Sequence, residues 1–320
     1  MTRVAAIDCG TNSIRLLIAD SAGSVLRDIH RENRIVRLGE GVDSTGEFAP
    51  DAIERTRAAL ADYAVDMRAQ SVDVVRMVAT SAARDVSNRD AFFSMTADIL
   101  GTVVAGAAAE VISGTEEAAL SFRGAVGELN SGDGPFVVTD LGGGSTETVL
   151  GDTEVIASYS SDIGCVRLTE RCLHSDPPTP TEIAHAREVI RHRLAPAFAA
   201  VPVAQARAWV GLAGTMTTLA ALAHGLSEYD PDAIHLSTVP FDRLLAVCDD
   251  LIGMTRSQRA ALPVMHPGRV DVIGGGALVV QELVAELQTR AGLDQLTVSE
   301  HDILDGIALS LLDRGHASNR

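Results

Sequence analysis

Short runs of apolar and β-branched residues separated by a polar turn occur twice in this chain, once at its start and once near its middle. The first pair of runs is Val4–Ile7 and Ile14–Ala19, and the second pair is Val137–Thr139 and Glu147–Leu150. Runs of this length, bounded by turn residues, predict buried strands. The pattern therefore predicts two copies of a strand–turn–strand unit.

The second turn contains three consecutive glycines, Gly142–Gly144. Glycine loses more conformational entropy than any other residue when it enters a strand or helix, so the triplet indicates a tight turn. The N–H groups of such a turn can form a concavity that binds an anion, and phosphate is the usual one. The carboxylates Asp140 and Glu147 flank the turn, and carboxylates are ligands that Mg²⁺ prefers. A plain hairpin without a ligand explains the triplet equally well.

Both turns have the spacing Asp-x-Gly-x-x-Ser, which begins at Asp8 in the first copy and at Asp140 in the second. One such turn is common. Two turns with equal offsets, one in each half of the chain, indicate duplicated domains that face each other. Two phosphate-binding turns across one cleft would hold a single polyphosphate chain.

The rest of the pattern adds further strands and helices. Strands are predicted at Val25–Glu32, Val72–Ala79, Ala157–Val166, Trp209–Leu212 and Leu296–Ser299. Helices are predicted at Asp51–Gln70, Thr115–Gly124, Thr181–Ala200, Phe241–Ile252, Arg256–Leu262 and Asp302–Leu312. A third glycine triplet, Gly274–Gly276, enters an apolar helix, which indicates either close helix packing or a role in closing the cleft. This mixture predicts an α/β fold.

Length and charge limit the classes of function. The chain has 320 residues, of which 46% are hydrophobic, and this is enough for one large domain or two ordinary ones. The formal net charge is 26 − 43 = −17. Such an acidic surface argues against general binding to nucleic acids or membranes. A polyanionic ligand must therefore bind in a cleft where the few arginines gather.

The cysteines and the apolar runs indicate a cytoplasmic protein. Cys9, Cys165, Cys172 and Cys248 show neither a CxxC spacing nor a disulfide framework, so we expect free thiols in a reducing compartment. The first apolar run is too short for a signal peptide. No run reaches the roughly 18 apolar residues that a membrane-spanning helix needs.

Three side chains outside the turns are candidates for chemistry. Arg84 follows a predicted strand, and it is either a surface partner of a nearby aspartate or a ligand for phosphate. Ser113 and Glu116 fit a capping box, S-x-x-E, at the start of a helix. Glu117 follows, and a carboxylate in the first helical turn is favoured electrostatically in any protein. The residues alone do not decide between the two glutamates as a catalytic group.

Seven ordered segments carry a resemblance to a known family. They are AAIDCGTNSIRLLIAD, VATSAARD, VISGTEEAALSFRG, VVTDLGGGSTETVLG, VGLAGTMTTLA, RVDVIGGGALVV and LTVSEHDILDG. In their residues and in their order along the chain, they resemble the exopolyphosphatase and guanosine pentaphosphate phosphohydrolase family, within the sugar kinase, heat-shock 70 and actin superfamily. The resemblance runs from about residue 3 to residue 312. It is closest to the short actinobacterial type, which lacks an additional C-terminal helical domain.

The resemblance implies two ribonuclease-H-like domains around an interdomain cleft. It implies an N-terminal domain of residues 1–124 plus about 300–320, and a C-terminal domain of residues 125–299. The implied activity is an exopolyphosphatase that releases orthophosphate from inorganic polyphosphate. A guanosine pentaphosphate 5′-phosphohydrolase is the alternative with the same motifs. A protein that binds polyphosphate without hydrolysing it is the alternative from another class, and the intact acidic residues argue against it.

The resemblance also implies roles for individual residues. Glu117 is the implied catalytic base, and Glu147 is implied both in catalysis and in metal binding. Asp140 and Asp8 are the other implied ligands for Mg²⁺, or alternatively Mn²⁺. The implied substrate-binding residues are Asn12, Ser13, Arg84, Gly143, Gly144, Ser145, Gly214 and Thr215. A homodimer is compatible with these implications, whereas nucleic acids and membranes are not expected partners.

Overall fold

Each of the two units into which the chain folds is built on one mixed β-sheet. The structure is a computed structural model, and it describes residues 2–22 and 25–317. The first unit is the described part of Met1–Gly124 and Ile303–Arg320, and the second unit is Ala125–Asp302. Residues 1, 23–24 and 318–320, which fall in the predicted N-terminal domain, lie outside the described residues.

Five strands form the sheet of the first unit. They are β1 (Thr2–Cys9), β2 (Ser13–Ala22), β3 (Val25–Ile35), β4 (Val74–Ala79) and β5 (Ala109–Val111). Their order across the sheet is β3-β2-β1-β4-β5. The helices are α1 (Val42–Thr45), α2 (Pro50–Ala69), α3 (Ser81–Arg84), α4 (Arg89–Leu100), α5 (Gly114–Val126), which runs into the second unit, and α13 (Ile303–Ala317).

Six strands form the sheet of the second unit. They are β6 (Phe136–Leu141), β7 (Thr146–Gly151), β8 (Val155–Ser161), β9 (Ala208–Leu212), β10 (Thr238–Pro240) and β11 (Gln295–Val298). Their order is β10-β11-β9-β6-β7-β8. The helices are α6 (Cys165–Cys172), α7 (Pro180–Ala200), α8 (Ala213–His224), α9 (Pro231–Ile234), α10 (Phe241–Gly253), α11 (Arg256–Ala260) and α12 (Ile273–Ala291).

The two sheets share one topology. In the first unit, β1 pairs antiparallel with β2 and parallel with β4. Outside these strands, β3 pairs antiparallel with β2, and β5 pairs parallel with β4. In the second unit, β6 pairs antiparallel with β7 and parallel with β9. Outside these strands, β8 pairs antiparallel with β7, and β11 pairs parallel with β9. The α/β fold class predicted from the mixture of strands and helices is therefore confirmed. The second unit carries β10 as an addition at its edge.

The apolar run of β1 is continuous rather than alternating because both faces of the strand are buried. Ala5 and Ile7 face one buried cluster of the first unit, which α2 and α4 complete. Val4 and Ala6 face a second buried cluster, which α13 completes through residues such as Ile307. A strand covered on both faces needs apolar residues at every position. The last helix therefore packs on the sheet of the first unit, although it lies far away in sequence.

Several predicted strand boundaries are wrong. Strand β8 ends at Ser161 rather than at Val166, because α6 already begins at Cys165. The predicted strand at Val137–Thr139 continues to Leu141, so Asp140 lies within β6 instead of beyond its end. The glycine triplet Gly274–Gly276 lies inside the first turns of α12, which begins at Ile273.

The glycine triplet of α12 serves helix packing. A Cβ atom on Gly275 would lie 2.4 Å from Oγ1 of Thr169, and one on Gly276 would lie 2.7 Å from Cγ2 of Thr215. Such approaches require glycine, because no side-chain carbon fits at these distances. Helix α12 thus packs directly against α6 and α8.

The four cysteines are free and buried, as predicted for thiols without a disulfide framework. Burial raises the pKa of the Cys165 thiol to about 11, which makes it a poor nucleophile near neutral pH. Along residues 2–22 and 25–317, none of the helices has both the length and the apolar character needed to cross a bilayer.

Candidate active site

The two predicted turns close in the same way. In the first turn, residues 10–13, the Gly10 N–H donates to the Ser13 carbonyl at 2.9 Å. In the second turn, residues 142–145, the Gly142 N–H donates to the Ser145 carbonyl at 3.1 Å. Both turns are therefore tight hairpin connections. The hairpin interpretation describes their backbone correctly and leaves open what their other N–H groups do.

A neighbouring segment fixes the orientation of the first turn. The Thr11 carbonyl accepts a hydrogen bond from the Gly39 N–H at 2.8 Å. The Asn12 carbonyl accepts from the N–H groups of Val36 and Arg37 at 3.0 and 2.9 Å. In a trans peptide the C=O and the following N–H point in opposite directions. The N–H groups of Asn12 and Ser13 therefore point away from residues 36–39, which we call the first supporting segment.

The second turn is fixed in a similar way by the start of α6. The Gly142 carbonyl accepts from the Cys165 N–H at 3.0 Å. The Gly143 carbonyl accepts from the N–H groups of Val166 and Arg167 at 2.9 and 3.1 Å. The N–H groups of Gly143 and Gly144 therefore point away from residues 164–167, the second supporting segment. The positive end of the α6 dipole also lies next to this turn.

Each turn thus presents two successive backbone N–H groups on one side, while three donors hold its carbonyls on the other. Side-by-side N–H groups of this kind make an anion-binding concavity. Asn12, Ser13, Gly143 and Gly144 were predicted to bind phosphate through these groups, and the backbone is oriented as that role requires. Ser145, also predicted, is buried at the end of the second turn.

Two carboxylates lie directly opposite each other beside the second turn. Asp140 on β6 pairs with Glu147 on β7, and their side chains are only 7% and 1% exposed. The Ser160 hydroxyl donates to Oε1 of Glu147 at 2.7 Å. Like charges at directly opposed positions of a sheet are destabilising, and a divalent cation between them removes that repulsion. The pair fits the carboxylate ligands that Mg²⁺ takes from a protein.

Asp8 occupies the matching place beside the first turn but has a different neighbour. The residue opposite Asp8 on β2 is Arg15, whose Nη2 and Nε donate to Oδ2 at 2.7 and 3.0 Å. The charge of Asp8 is therefore already matched by a guanidinium within the same hairpin. The metal role implied for Asp8 stays a prediction.

Arg84 and Glu117 form an ion pair within the first unit. Nη1 of Arg84 donates to Oε2 of Glu117 at 2.7 Å and to the Ile112 carbonyl at 3.1 Å. Glu117 is buried in the first turn of α5, while Arg84 ends the short helix α3. One partner of this arginine is thus a buried glutamate that lies far away in sequence. The pair holds one oxygen of the glutamate in a defined position.

Glu116 faces a different environment from its neighbour. Its backbone N–H donates to Oγ of Ser113 at 3.1 Å, which is the capping bond expected for this position. Its carboxylate accepts a hydrogen bond from Nη2 of the buried Arg76 at 2.6 Å. Arg76 also donates to Glu110 and Ser310. Glu116 therefore belongs to an ion-pair network that holds α5, β5 and α13 together.

Gly214 and Thr215, predicted to contact substrate, lie just after β9. The guanidinium of Arg269 lies against Gly214, where a Cβ atom would come within 2.3 Å of its Cζ. Arg269 also donates to Oγ1 of Thr218 at 3.0 Å. Ala213 has φ 70°, a left-handed conformation that is uncommon for alanine and indicates local strain at this junction. Strain of this kind clusters at functional sites in proteins.

The predicted site residues gather at one edge of each sheet. In the first unit they follow the carboxyl ends of the parallel strands β1, β4 and β5, and the Thr80 N–H links the start of α3 to Cys9 at 3.3 Å. In the second unit they follow the ends of β6 and β9, where Asp140 lies opposite Leu212. Ligands of open α/β sheets bind outside these carboxyl ends.

Three residues of these edges were missed by the sequence interpretation. Arg15 could have been found, because counting across the first turn places it opposite Asp8. Ser160 depends on the register of a third strand, and Arg269 on the packing of a distant loop against Gly214. Neither of these two contacts leaves a local signal in the sequence.

Arg84→Lys is expected to raise the KM for a phosphate chain and to lower kcat. Lysine keeps the charge but loses the planar guanidinium, whose Nη1 donates to both the Ile112 carbonyl and Glu117. Arg84→Ala should lower kcat/KM by roughly 10- to 100-fold, the usual worth of a hydrogen bond to a charged group. Steady-state kinetics check this, with Arg89→Ala as the control, because Arg89 is an exposed residue at the start of α4. Unchanged kinetics for Arg84→Ala would leave this arginine with a purely structural role.

The chain is similar to proteins of one family over nearly its whole length. The model of the Ppx/GppA phosphatase family matches residues 17–311. Exopolyphosphatase 2 of Mycobacterium tuberculosis is 70% identical over 315 residues, which cover 97% of this chain and 99% of that protein. A crystal structure of an exopolyphosphatase-like protein is 42% identical, with a TM-score of 0.92 and 98% of each chain covered. A Ppx/GppA family member of Aquifex aeolicus is 30% identical, with a TM-score of 0.80 over 98% of each chain.

Proposed function

Because this chain belongs to the Ppx/GppA phosphatase family, we propose that it is an exopolyphosphatase, which hydrolyses the terminal phosphoanhydride bond of inorganic polyphosphate. The 70% identity to Exopolyphosphatase 2 over 97% of the chain supports this substrate. The observation that carries the proposal is the construction of the two turns. Each turn presents two successive backbone N–H groups that can donate to a phosphate group. The second turn also has two buried carboxylates opposite each other beside it.

The two turns would bind phosphate groups near the end of the polyphosphate. The N–H groups of Asn12 and Ser13 in the first turn, and those of Gly143 and Gly144 in the second, would donate to phosphoryl oxygens. These donors require no large adjustment, because supporting segments already hold the turn carbonyls. Catalysis of phosphoryl transfer depends mainly on such positioning and on neutralising charge.

Asp140 and Glu147 would hold a divalent cation, for which we propose Mg²⁺. When bound, this ion would supply positive charge to the phosphate oxygens during transfer. Ser160 fixes one oxygen of Glu147 through a hydrogen bond, so that the other oxygen faces a defined direction. Mn²⁺ prefers the same oxygen ligands and is the alternative ion.

Glu117 would act as the general base. Arg84 holds Oε2 of this glutamate, and we propose that Oε1 accepts the proton of the attacking water. The water oxygen forms a bond to the terminal phosphorus as the bond to the bridging oxygen breaks. The bridging oxygen keeps the electron pair and remains on the shortened chain, and orthophosphate leaves.

A comparison of substrates tests the proposal. Phosphate release should be measured side by side on long polyphosphate, short polyphosphate and guanosine pentaphosphate, each with Mg²⁺. Faster release from polyphosphate supports the exopolyphosphatase. Preference for guanosine pentaphosphate would instead assign the 5′-phosphohydrolase activity, and binding without release would indicate a protein that only binds polyphosphate. A cytoplasmic location and a homodimer remain predictions alongside this one.

A further inference from the structure

Two glycines lie where the supporting segments meet the turns. A Cβ atom on Gly39 would lie 2.3 Å from Cγ2 of Thr11. A Cβ atom on Gly164 would lie 2.5 Å from both the carbonyl carbon and the carbonyl oxygen of Gly143. Side-chain carbons do not approach other atoms this closely. Gly164 has φ −150°, an extended conformation that any residue adopts, so the requirement there is for space rather than for unusual dihedral angles.

We propose that Gly39 and Gly164 are positioning residues for hydrolysis, acting through the turns rather than by contact with substrate. The absence of a side chain lets each supporting segment come within hydrogen-bond distance of the turn carbonyls. Those hydrogen bonds aim the N–H groups of Asn12 and Ser13 and of Gly143 and Gly144 in one direction. This inference rests on the proposed function, since it assumes that these N–H groups bind phosphate.

The two contacts differ in what a new side chain would meet. At Gly39 the nearest atom is a side-chain methyl, Cγ2 of Thr11, and the Thr11 Cβ lies farther away at 3.2 Å. Threonine is restricted at χ1, so this methyl does not turn away easily. At Gly164 the nearest atoms belong to the backbone of the turn itself. A Cβ atom at residue 39 therefore needs the Thr11 methyl removed and a shift of a few tenths of an ångström from the Cβ atoms of Thr11 and Ala82, which would lie at 3.2 and 3.3 Å. A Cβ atom at residue 164 must displace the turn itself.

The contact between Gly39 and Thr11 allows a rescue experiment. Gly39→Ala should raise the KM for polyphosphate roughly tenfold, the loss of about one hydrogen bond to a charged group, with a smaller change in kcat. The double variant Gly39→Ala with Thr11→Ala removes the clashing methyl, together with the Thr11 hydroxyl, and should return KM to within about threefold of the wild-type value. Gly164→Ala should be at least as damaging as Gly39→Ala. Gly127→Ala is the matched control, because a Cβ atom there meets nothing within 4 Å.

The readouts are KM, kcat, thermal unfolding and calorimetric binding of inorganic tripolyphosphate. Recovery of KM and of tripolyphosphate binding in the double variant supports the inference. A wild-type KM for Gly39→Ala, or a raised KM that Thr11→Ala does not restore, overturns it. If Gly39→Ala alone fails to fold, the KM and the tripolyphosphate binding of the folded double variant decide the question. Failure of the wild-type chain to release phosphate, with tripolyphosphate still bound tightly, counts against the proposed function and leaves the binding comparison intact.

Discussion

Glu117→Gln is expected to lower kcat on polyphosphate by roughly 10²–10⁴-fold while polyphosphate still binds, the usual size of a general-base contribution. Glutamine is nearly isosteric with glutamate and keeps an oxygen that can accept the hydrogen bond from Arg84. It cannot take a proton from water near neutral pH. The helix start is retained, because the Glu117 N–H donates to the Ser113 carbonyl through the backbone. The rate loss should therefore appear without a matching loss of stability.

Glu116→Gln is the internal control for this variant. The two residues are adjacent on α5, but the Glu116 carboxylate accepts from Arg76 and is about half exposed. Its replacement should change kcat by no more than a few-fold and should lower the melting temperature slightly, since glutamine keeps an oxygen that can accept from Arg76, and the buried Arg76 keeps its ion pair with Glu110. Equal small losses in both variants would remove Glu117 from the mechanism. A large loss at Glu116 alone would transfer the role of base to that residue.

The fold could be predicted because its signals are local and occur twice. The spacing from Asp8 to Ser13 and from Asp140 to Ser145 reports two hairpins of equal construction, and both hairpins lie at the centre of sheets with one topology. The apolar runs around them indicate strands because every position of β1 from Val4 to Cys9 is buried on one face of the sheet or the other. Helix ends were less predictable: α6 starts inside a predicted strand because it packs on the second turn.

The candidate site could be predicted only in part. The turn residues carry a local pattern, so Asn12 and Gly143 could be proposed from the sequence, whereas their supporting residues could not. Gly39 and Gly164 are distant contacts of the turns, and a glycine in a loop has many simpler explanations. The environment of Glu116 depends on Arg76, forty positions away on another strand. Interactions between distant segments are set by tertiary packing and leave no spacing in the sequence.

Asp140→Asn and Glu147→Gln are each expected to raise the Mg²⁺ concentration needed for half-maximal rate by more than roughly tenfold. The two carboxylates are buried and directly opposed, and removing either one takes away a charged oxygen ligand. Even partners that only orient a metal ligand are worth roughly 10–100-fold in affinity. Ser160→Ala, which removes the hydrogen bond to Glu147, should therefore shift the Mg²⁺ requirement in the same direction by a smaller amount.

Asp8→Asn tests whether Asp8 binds the metal ion in addition to Asp140 and Glu147. Asp8 is held by Arg15, so its replacement should lower the rate without shifting the Mg²⁺ requirement if it does not bind the ion directly. Thermal unfolding gives a second readout that does not depend on hydrolysis. An ion that binds only the folded protein raises the melting temperature as its concentration rises. Mg²⁺ should raise the melting temperature of the wild type and of Asp8→Asn, but much less that of Asp140→Asn or Glu147→Gln. Wild-type Mg²⁺ dependence in both of the latter variants, in rate and in melting temperature, would place the metal elsewhere in the protein.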